Sequence, residues 1–318
     1  MIGYVVNELG SAELQDIPKP IPASNEVLIK MEACALNFAD LLLIKGTYQE
    51  KPALPFCPGM EIAGRVVDIG ADVSGFSIGD RVAGVAGHGG LAEYAVLEAA
   101  ATVALPDAVG FAEAAAFQVA YGTSHLALSH RANIKAGETL LVFGAAGGVG
   151  LAAVELGKLM GARVIASARG EDKLAIAKAS GADHVIDSDA PDIREQIKAL
   201  GGADVVYDPV GGAAFDTAMR VTNPDGRILA IGFASGTVPQ IPANILLVKN
   251  ITVIGLYWGG YRKFAPKVLS DSLKTLLDWQ VEGRLTPHIS HQLPLSEAAN
   301  ALSLLKTRKS TGKVVVVA

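Results

Sequence analysis

Two rhythms of hydrophobic and polar positions divide this chain. Over roughly the first hundred residues the apolar runs are short, at 27–31, 62–67, 81–85 and 91–96. Pro and Gly punctuate them, as in Pro18-Lys19-Pro20, Pro58-Gly59 and Gly79-Asp80. Short runs bounded by turn formers predict strands, with one helical stretch at 38–45. From about residue 120 the pattern changes. Apolar segments at 139–144, 163–168, 184–187, 203–208, 226–231 and 252–255 read as buried strands, and helical segments at 149–160, 172–180 and 193–200 lie between them. Strands alternating with helices build βαβ units and a parallel sheet. A long amphipathic helix follows at 265–282, with Val268, Leu269, Leu273, Leu276 and Leu277 on one face. A second helix at 295–306 leads to a closing strand at 313–317, which is expected to return to the first domain. The fold class is therefore α/β. A β-rich domain is expected over residues 1–120 and 261–318, and a doubly wound parallel-sheet domain over 121–260.

Composition narrows the function classes. The 318 residues are half hydrophobic and 19% charged, enough for two packed cores and without the signature of disorder. A net charge of −5 with no basic block argues against a nucleic-acid surface. The opening Met1-Ile2-Gly3-Tyr4 reaches Glu8 without a charged and then apolar leader. The most apolar stretch, around 140–156, is rich in Gly and broken by Glu155, so no membrane span is expected. Only Cys34 and Cys57 occur and they form no CxxC pair, as expected of a reduced cytoplasmic protein.

The strongest local signal is Thr139-Leu140-Leu141-Val142-Phe143-Gly144-Ala145-Ala146-Gly147-Gly148-Val149-Gly150. An apolar strand runs into a glycine turn, and the turn opens a helix. Small residues there let a pyrophosphate approach the backbone, and free N–H groups with the helix dipole hold its charge. The usual GxGxxG spacing falls on 145, 147 and 150, with Ala145 in place of the first glycine and Gly144 one position earlier. Ala146, Gly147, Gly148 and Val149 are the expected contacts. The next strand ends Ser167-Ala168-Arg169. An NAD site would place Asp or Glu here for the ribose 2′-hydroxyl. A hydroxyl and a guanidinium suit a 2′-phosphate instead, with Lys173 assisting, so NADP(H) is the expected cofactor.

These features, with Leu36-Asn37-Phe38-Ala39-Asp40, Pro55-Phe56-Cys57-Pro58-Gly59-Met60-Glu61, Gly79-Asp80-Arg81-Val82, Asp208-Pro209-Val210-Gly211-Gly212 and Ser310-Thr311-Gly312-Lys313-Val314-Val315, resemble the medium-chain dehydrogenase/reductase superfamily. Within it the chain is most similar to the zinc-independent quinone oxidoreductases, relatives of zeta-crystallin, along essentially its whole length. The resemblance implies a GroES-like catalytic domain beside a Rossmann domain, and a homodimer. It also implies roles for residues. Asn37, Asp40 and Tyr48 would line the substrate side, Tyr48 and Asn37 as hydrogen-bond donors. Asn37 and Asp40 are equally the residue types that cap helices. Thr123, Asp208, Val210, Gly232, Phe233, Ala234, Leu256, Trp258 and Lys313 would contact the cofactor. Zinc alcohol dehydrogenases of this superfamily carry Cys where Asn37 stands and His where Met60 stands, and two cysteines cannot build their four-Cys structural lobe. No metal is expected.

Without a Lewis acid, hydride transfer suits a conjugated acceptor, whose incoming charge spreads onto a distant carbonyl oxygen. A quinone is the expected substrate. An enone or enoyl thioester is the alternative, as is a nucleotide-binding, crystallin-like protein without turnover. A CoA substrate would need a basic patch, for which Arg131, Arg262, Lys263 and Lys267 are the available residues.

Overall fold

Nine strands and two helices belong wholly to the first of two units in the computed structural model, which describes residues 1–318. This unit comprises Met1–Val119 and Pro287–Ala318. Its strands are β1 (Ile2–Val5), β2 (Glu13–Asp16), β3 (Glu26–Ala35), β4 (Glu61–Ile69), β5 (Arg81–Val85), β6 (Tyr94–Glu98) and β7 (Thr102–Ala104), then β14 (Ile289–Pro294) and β15 (Lys313–Val317) after the second unit. Its helices are α1 (Phe38–Lys45), the beginning of α2 (Phe111–His125), and α10 (Ala298–Lys306). The seven-stranded sheet runs β14-β15-β3-β4-β5-β7, with β6 paired to β3; β1 and β2 form a separate hairpin.

The closing strand does return to this unit, pairing antiparallel with β3 through Val315↔Ala35 and parallel with β14. Four consecutive valines explain why: Val314, Val315 and Val316 are fully buried in its core. That core joins Val27, Ile29 and Met31 of β3 to Ile62, Val66, Val82 and Leu97, and α10 covers it with Ala298, Ala301 and Leu302.

The second unit, Ala120–Thr286, holds a six-stranded parallel sheet. Its elements are β8 (Thr139–Phe143), α3 (Gly148–Leu159), β9 (Arg163–Ala168), α4 (Glu171–Ala179), β10 (His184–Asp187), α5 (Ile193–Ala199), β11 (Ala203–Asp208), α6 (Ala213–Val221), β12 (Thr222–Ala230), α7 (Ala243–Lys249) and β13 (Thr252–Gly255), followed by α8 (Tyr261–Phe264) and α9 (Pro266–Val281). The strand order β10-β9-β8-β11-β12-β13 reverses between β8 and β11, the switch point of a Rossmann sheet. Leu140, Leu141 and Val142 of β8 are completely buried, as a central strand covered on both faces requires.

The second unit extends to Thr286, further than the expected boundary at residue 260. Specific contacts hold α9 there. The Ser272 hydroxyl meets the His125 imidazole at 2.7 Å, Trp279 stacks edge-on against His125, and the Thr286 N–H donates to Glu155 at 2.8 Å. The sequence pattern also missed α2, α6 and α7. In α2 the run Ala112, Ala114, Ala115 and Ala116 gives little polar contrast from which to read a period.

Candidate active site

The first unit builds a buried polar network around α1. Asn37 precedes the helix in extended conformation, and its backbone N–H donates to the Asp40 carboxylate at 2.7 Å. The other Asp40 oxygen accepts from the Gly59 N–H at 2.9 Å. Gly59 has φ +98°, and a Cβ there would lie 2.6 Å from the Leu91 nitrogen, so only glycine lets the backbone come this close. Asp40 is fully buried, and burial, partly offset by those two N–H donors, pushes its carboxyl up to about 6. It ties α1 to the Gly59 turn.

Beside it, Lys313 reaches from the start of β15 to Glu61 at 2.5 Å and to the Asn37 side-chain oxygen at 2.8 Å. The Asn37 amide donates to the same Glu61 oxygen at 2.9 Å, and the Val119 N–H donates to the other Glu61 oxygen at 2.7 Å. Lys313 is 4% exposed and Glu61 0%. The Lys313 ammonium is thus engaged by Glu61 and Asn37 of its own unit. Asn37 is half-buried, and with one amide hydrogen on Glu61 it has a second to offer. Tyr48 is half-buried and packs against a cluster of Val6, Leu43, Phe56 and Met60.

Met60 lies in that apolar cluster, and the structure contains no group of three His, Cys, Asp or Glu side chains able to hold a metal. An amide at 37 and a thioether at 60 do not supply the thiolate and imidazole of a catalytic zinc site. Cys34 and Cys57 are buried free thiols, each pushed up by burial.

In the second unit, the expected cofactor residues gather at the carboxyl edge of the parallel sheet. The turn after β8 has Gly144 at φ +57°, and Gly147 opens α3 with no side chain capping it. The first-turn N–H groups of α3 therefore lack intrahelical partners. A Cβ at Gly150 would lie 2.2 Å from the Gly144 carbonyl, so this turn and helix can be this tight only with glycine. The Ser124 hydroxyl fastens the helix start from α2, donating to the Val149 carbonyl at 2.9 Å and meeting the Tyr207 hydroxyl at 2.9 Å. Ala146, Gly147, Gly148 and Val149 all lie on this turn, and Thr123 is buried one residue before Ser124.

Ser167 is the last residue but one of β9, beside the turn. Its carbonyl accepts from the Ala145 N–H at 3.0 Å, while its fully buried hydroxyl has no partner. Arg169 follows, ion-paired with Asp189 at 2.8 Å, and Lys173 lies on α4. At the end of β11, Asp208 folds its own turn, accepting from the Val210 and Gly211 N–H groups at 2.8 and 3.0 Å. Gly232, Phe233 and Ala234 follow β12, with Phe233 exposed. Leu256 and Trp258 follow β13, both buried. Trp258 lies on Gly122, where a Cβ would come within 2.8 Å of its ring nitrogen, and that nitrogen is buried without a partner.

Two participants escaped the sequence reading. Glu61 organises the first network, and its signal was a carboxylate flanked by Met60, Ile62 and Ala63 in an apolar strand. Asp189 comes from the neighbouring strand's exit, and no local pattern around Arg169 announces it.

Known families match both units. Residues 23–107 match the family described as alcohol dehydrogenase GroES-like domain, and residues 148–276 the family described as zinc-binding dehydrogenase. The quinone oxidoreductase-like protein 2 homolog of Nematostella vectensis is 44% identical over 299 residues, covering 92% of this chain and 82% of that protein. Among solved structures, the quinone oxidoreductase of Thermus thermophilus, determined also in complex with NADPH, superposes with a TM-score of 0.88 at 34% identity, covering all of both chains. That of Escherichia coli complexed with NADPH gives 0.92 at 27% identity, again over both whole chains.

Proposed function

The chain belongs to the quinone-oxidoreductase-like group of the medium-chain dehydrogenase/reductase superfamily, and from that footing we propose that it is a metal-independent NADPH:quinone reductase. The observation that carries the cofactor reading is the uncapped start of α3 behind a turn that admits only glycine at 150, together with the buried, unpartnered hydroxyl of Ser167. Such a turn suits a pyrophosphate, and Ser167 with Arg169 suits a 2′-phosphate. Trp258, at the other end of the sheet, is the residue assigned to the nicotinamide side in this reading. From β9 to β13 is four strand spacings, or about 19 Å at ~4.8 Å each, across the switch point where dinucleotides lie.

NADPH, when bound, supplies the hydride. The chain's own work is to hold the nucleotide at the sheet edge and to answer the charge that develops on the acceptor oxygen. The Tyr48 hydroxyl and the second amide hydrogen of Asn37 are the donors for that oxygen. Lys313 and Glu61 fix the Asn37 amide so that its carbonyl is occupied and its N–H group is the part available. Asp40 holds the start of α1 in place. A quinone is favoured over a CoA thioester by the likeness to the quinone oxidoreductases of Thermus thermophilus and Escherichia coli.

The homodimer reading draws support from β13, an edge strand of the sheet, and from α7, whose Leu247 and Val248 are 77% and 76% exposed. No helix is long and apolar enough to cross a membrane. The metal-independent reading is tested by dialysis against a chelator. Full retention of quinone-dependent NADPH oxidation is expected, whereas loss that added Zn2+ restores would overturn it.

A further inference from the structure

We propose that Asp189 is a built-in competitor for the 2′-phosphate at Arg169, and so limits how strongly this chain favours NADP(H) over NAD(H). The inference rests on the NADP(H) reading above. Asp189 grips the Arg169 guanidinium from the side, with Nε to Oδ2 at 2.8 Å and Nη2 to Oδ1 at 3.1 Å. This is the two-point, planar engagement that Arg offers a phosphate. The carboxylate is held in position from behind. Asp187, the last residue of β10, accepts the Asp189 backbone N–H on one oxygen at 2.9 Å and the Gly170 N–H on the other at 3.3 Å. The exit of β10 is thereby clamped to the turn that carries Arg169.

The pair is exposed, with 63% of the Arg169 side chain and 57% of the Asp189 side chain open to solvent. Such a pair is weak, screened and easily exchanged for another anion. A 2′-phosphate arriving at Arg169 must displace Asp189 or bind beside it on the remaining N–H groups, and in both cases the carboxylate opposes it. A ribose 2′-hydroxyl carries no charge to oppose. Asp189→Asn keeps the size of the side chain and the backbone N–H that Asp187 accepts, and removes only the charge.

The test is calorimetric titration of NADP+, NAD+ and adenosine 2′,5′-bisphosphate into the wild type, Asp189→Asn, Arg169→Ala and the double variant. Asp189→Asn is expected to bind NADP+ and the bisphosphate roughly two- to fivefold more tightly, with NAD+ affinity unchanged. The gain should vanish when Arg169→Ala is added. If Arg169→Ala abolishes a preference for NADP+ but Asp189→Asn binds it no more tightly than wild type, the competitor role is overturned and the NADP(H) reading stands. A wild type that binds NAD+ as tightly as NADP+, with Arg169→Ala altering neither, overturns both.

Discussion

Replacing Lys313 by Met removes the only cation from a network in which Glu61 is 0% exposed and cannot turn to solvent. Three contacts hold Glu61: the Lys313 ammonium at 2.5 Å, the Asn37 amide at 2.9 Å and the Val119 N–H at 2.7 Å. The variant keeps the two neutral donors and loses the charged one. Breaking a buried pair by removing one partner costs roughly 3–5 kcal/mol, and the surviving donors place this case near the lower figure, about 3 kcal/mol. For units of this size that corresponds to a melting temperature roughly 6–12 °C lower. Adding Glu61→Gln removes the stranded charge, so the double variant should regain much of the loss. The assay is urea unfolding of wild type, both single variants and the double variant, read as a thermodynamic cycle. Equal losses that simply add would refute the reasoning, because they would mean that Lys313 and Glu61 do not depend on each other.

Other expectations follow from the same geometry. Arg169→Glu should shift the ratio of kcat/KM for NADPH over NADH towards NADH, and an unchanged ratio would remove Arg169 from the phosphate subsite. Tyr48→Phe should lower kcat with the quinone by roughly tenfold or more if its hydroxyl donates to the acceptor oxygen; an unchanged kcat would leave that proton to water. Asp40, lifted by burial from an ordinary 3.8 to about 6, binds its proton more tightly in the folded chain than in the unfolded one. Its contribution to stability therefore falls as pH rises between those two values and is constant above them. Asp40→Asn cannot ionise, so the stability difference between wild type and variant, from urea midpoints at about pH 4 and pH 7, should move against the wild type at the higher pH. A pH-independent difference would contradict the burial argument.

Much of the second unit was legible because its strands are buried on both faces and write themselves as apolar runs. The segments 163–168, 184–187, 203–208 and 252–255 coincide with β9, β10, β11 and β13. The glycine turn was legible because a tight strand-to-helix reversal leaves little choice of residue at 144 and 150. What the sequence hid are pairings made by the fold across long separations. Lys313 reads as the polar start of a valine strand, and only the pairing of β15 with β3 brings it to Asn37 and Glu61. Arg169 reads as an unopposed cation, because the nearest carboxylate along the chain, Glu171, has already turned into α4. The parallel neighbour β10 then delivers Asp189 to it. The boundary after residue 260 was misplaced for a similar reason: an amphipathic helix shows that it has a buried face, not which core it covers.

The most direct test of the central claim is the rate of NADPH oxidation by the purified chain with 1,4-benzoquinone and, separately, with crotonyl-CoA, each against an enzyme-free control. A higher kcat/KM for the quinone is the result expected of a quinone reductase. A preference for crotonyl-CoA by about tenfold or more, equal to ~1.4 kcal/mol of differential transition-state binding, would contradict it and make the chain an enoyl-thioester reductase.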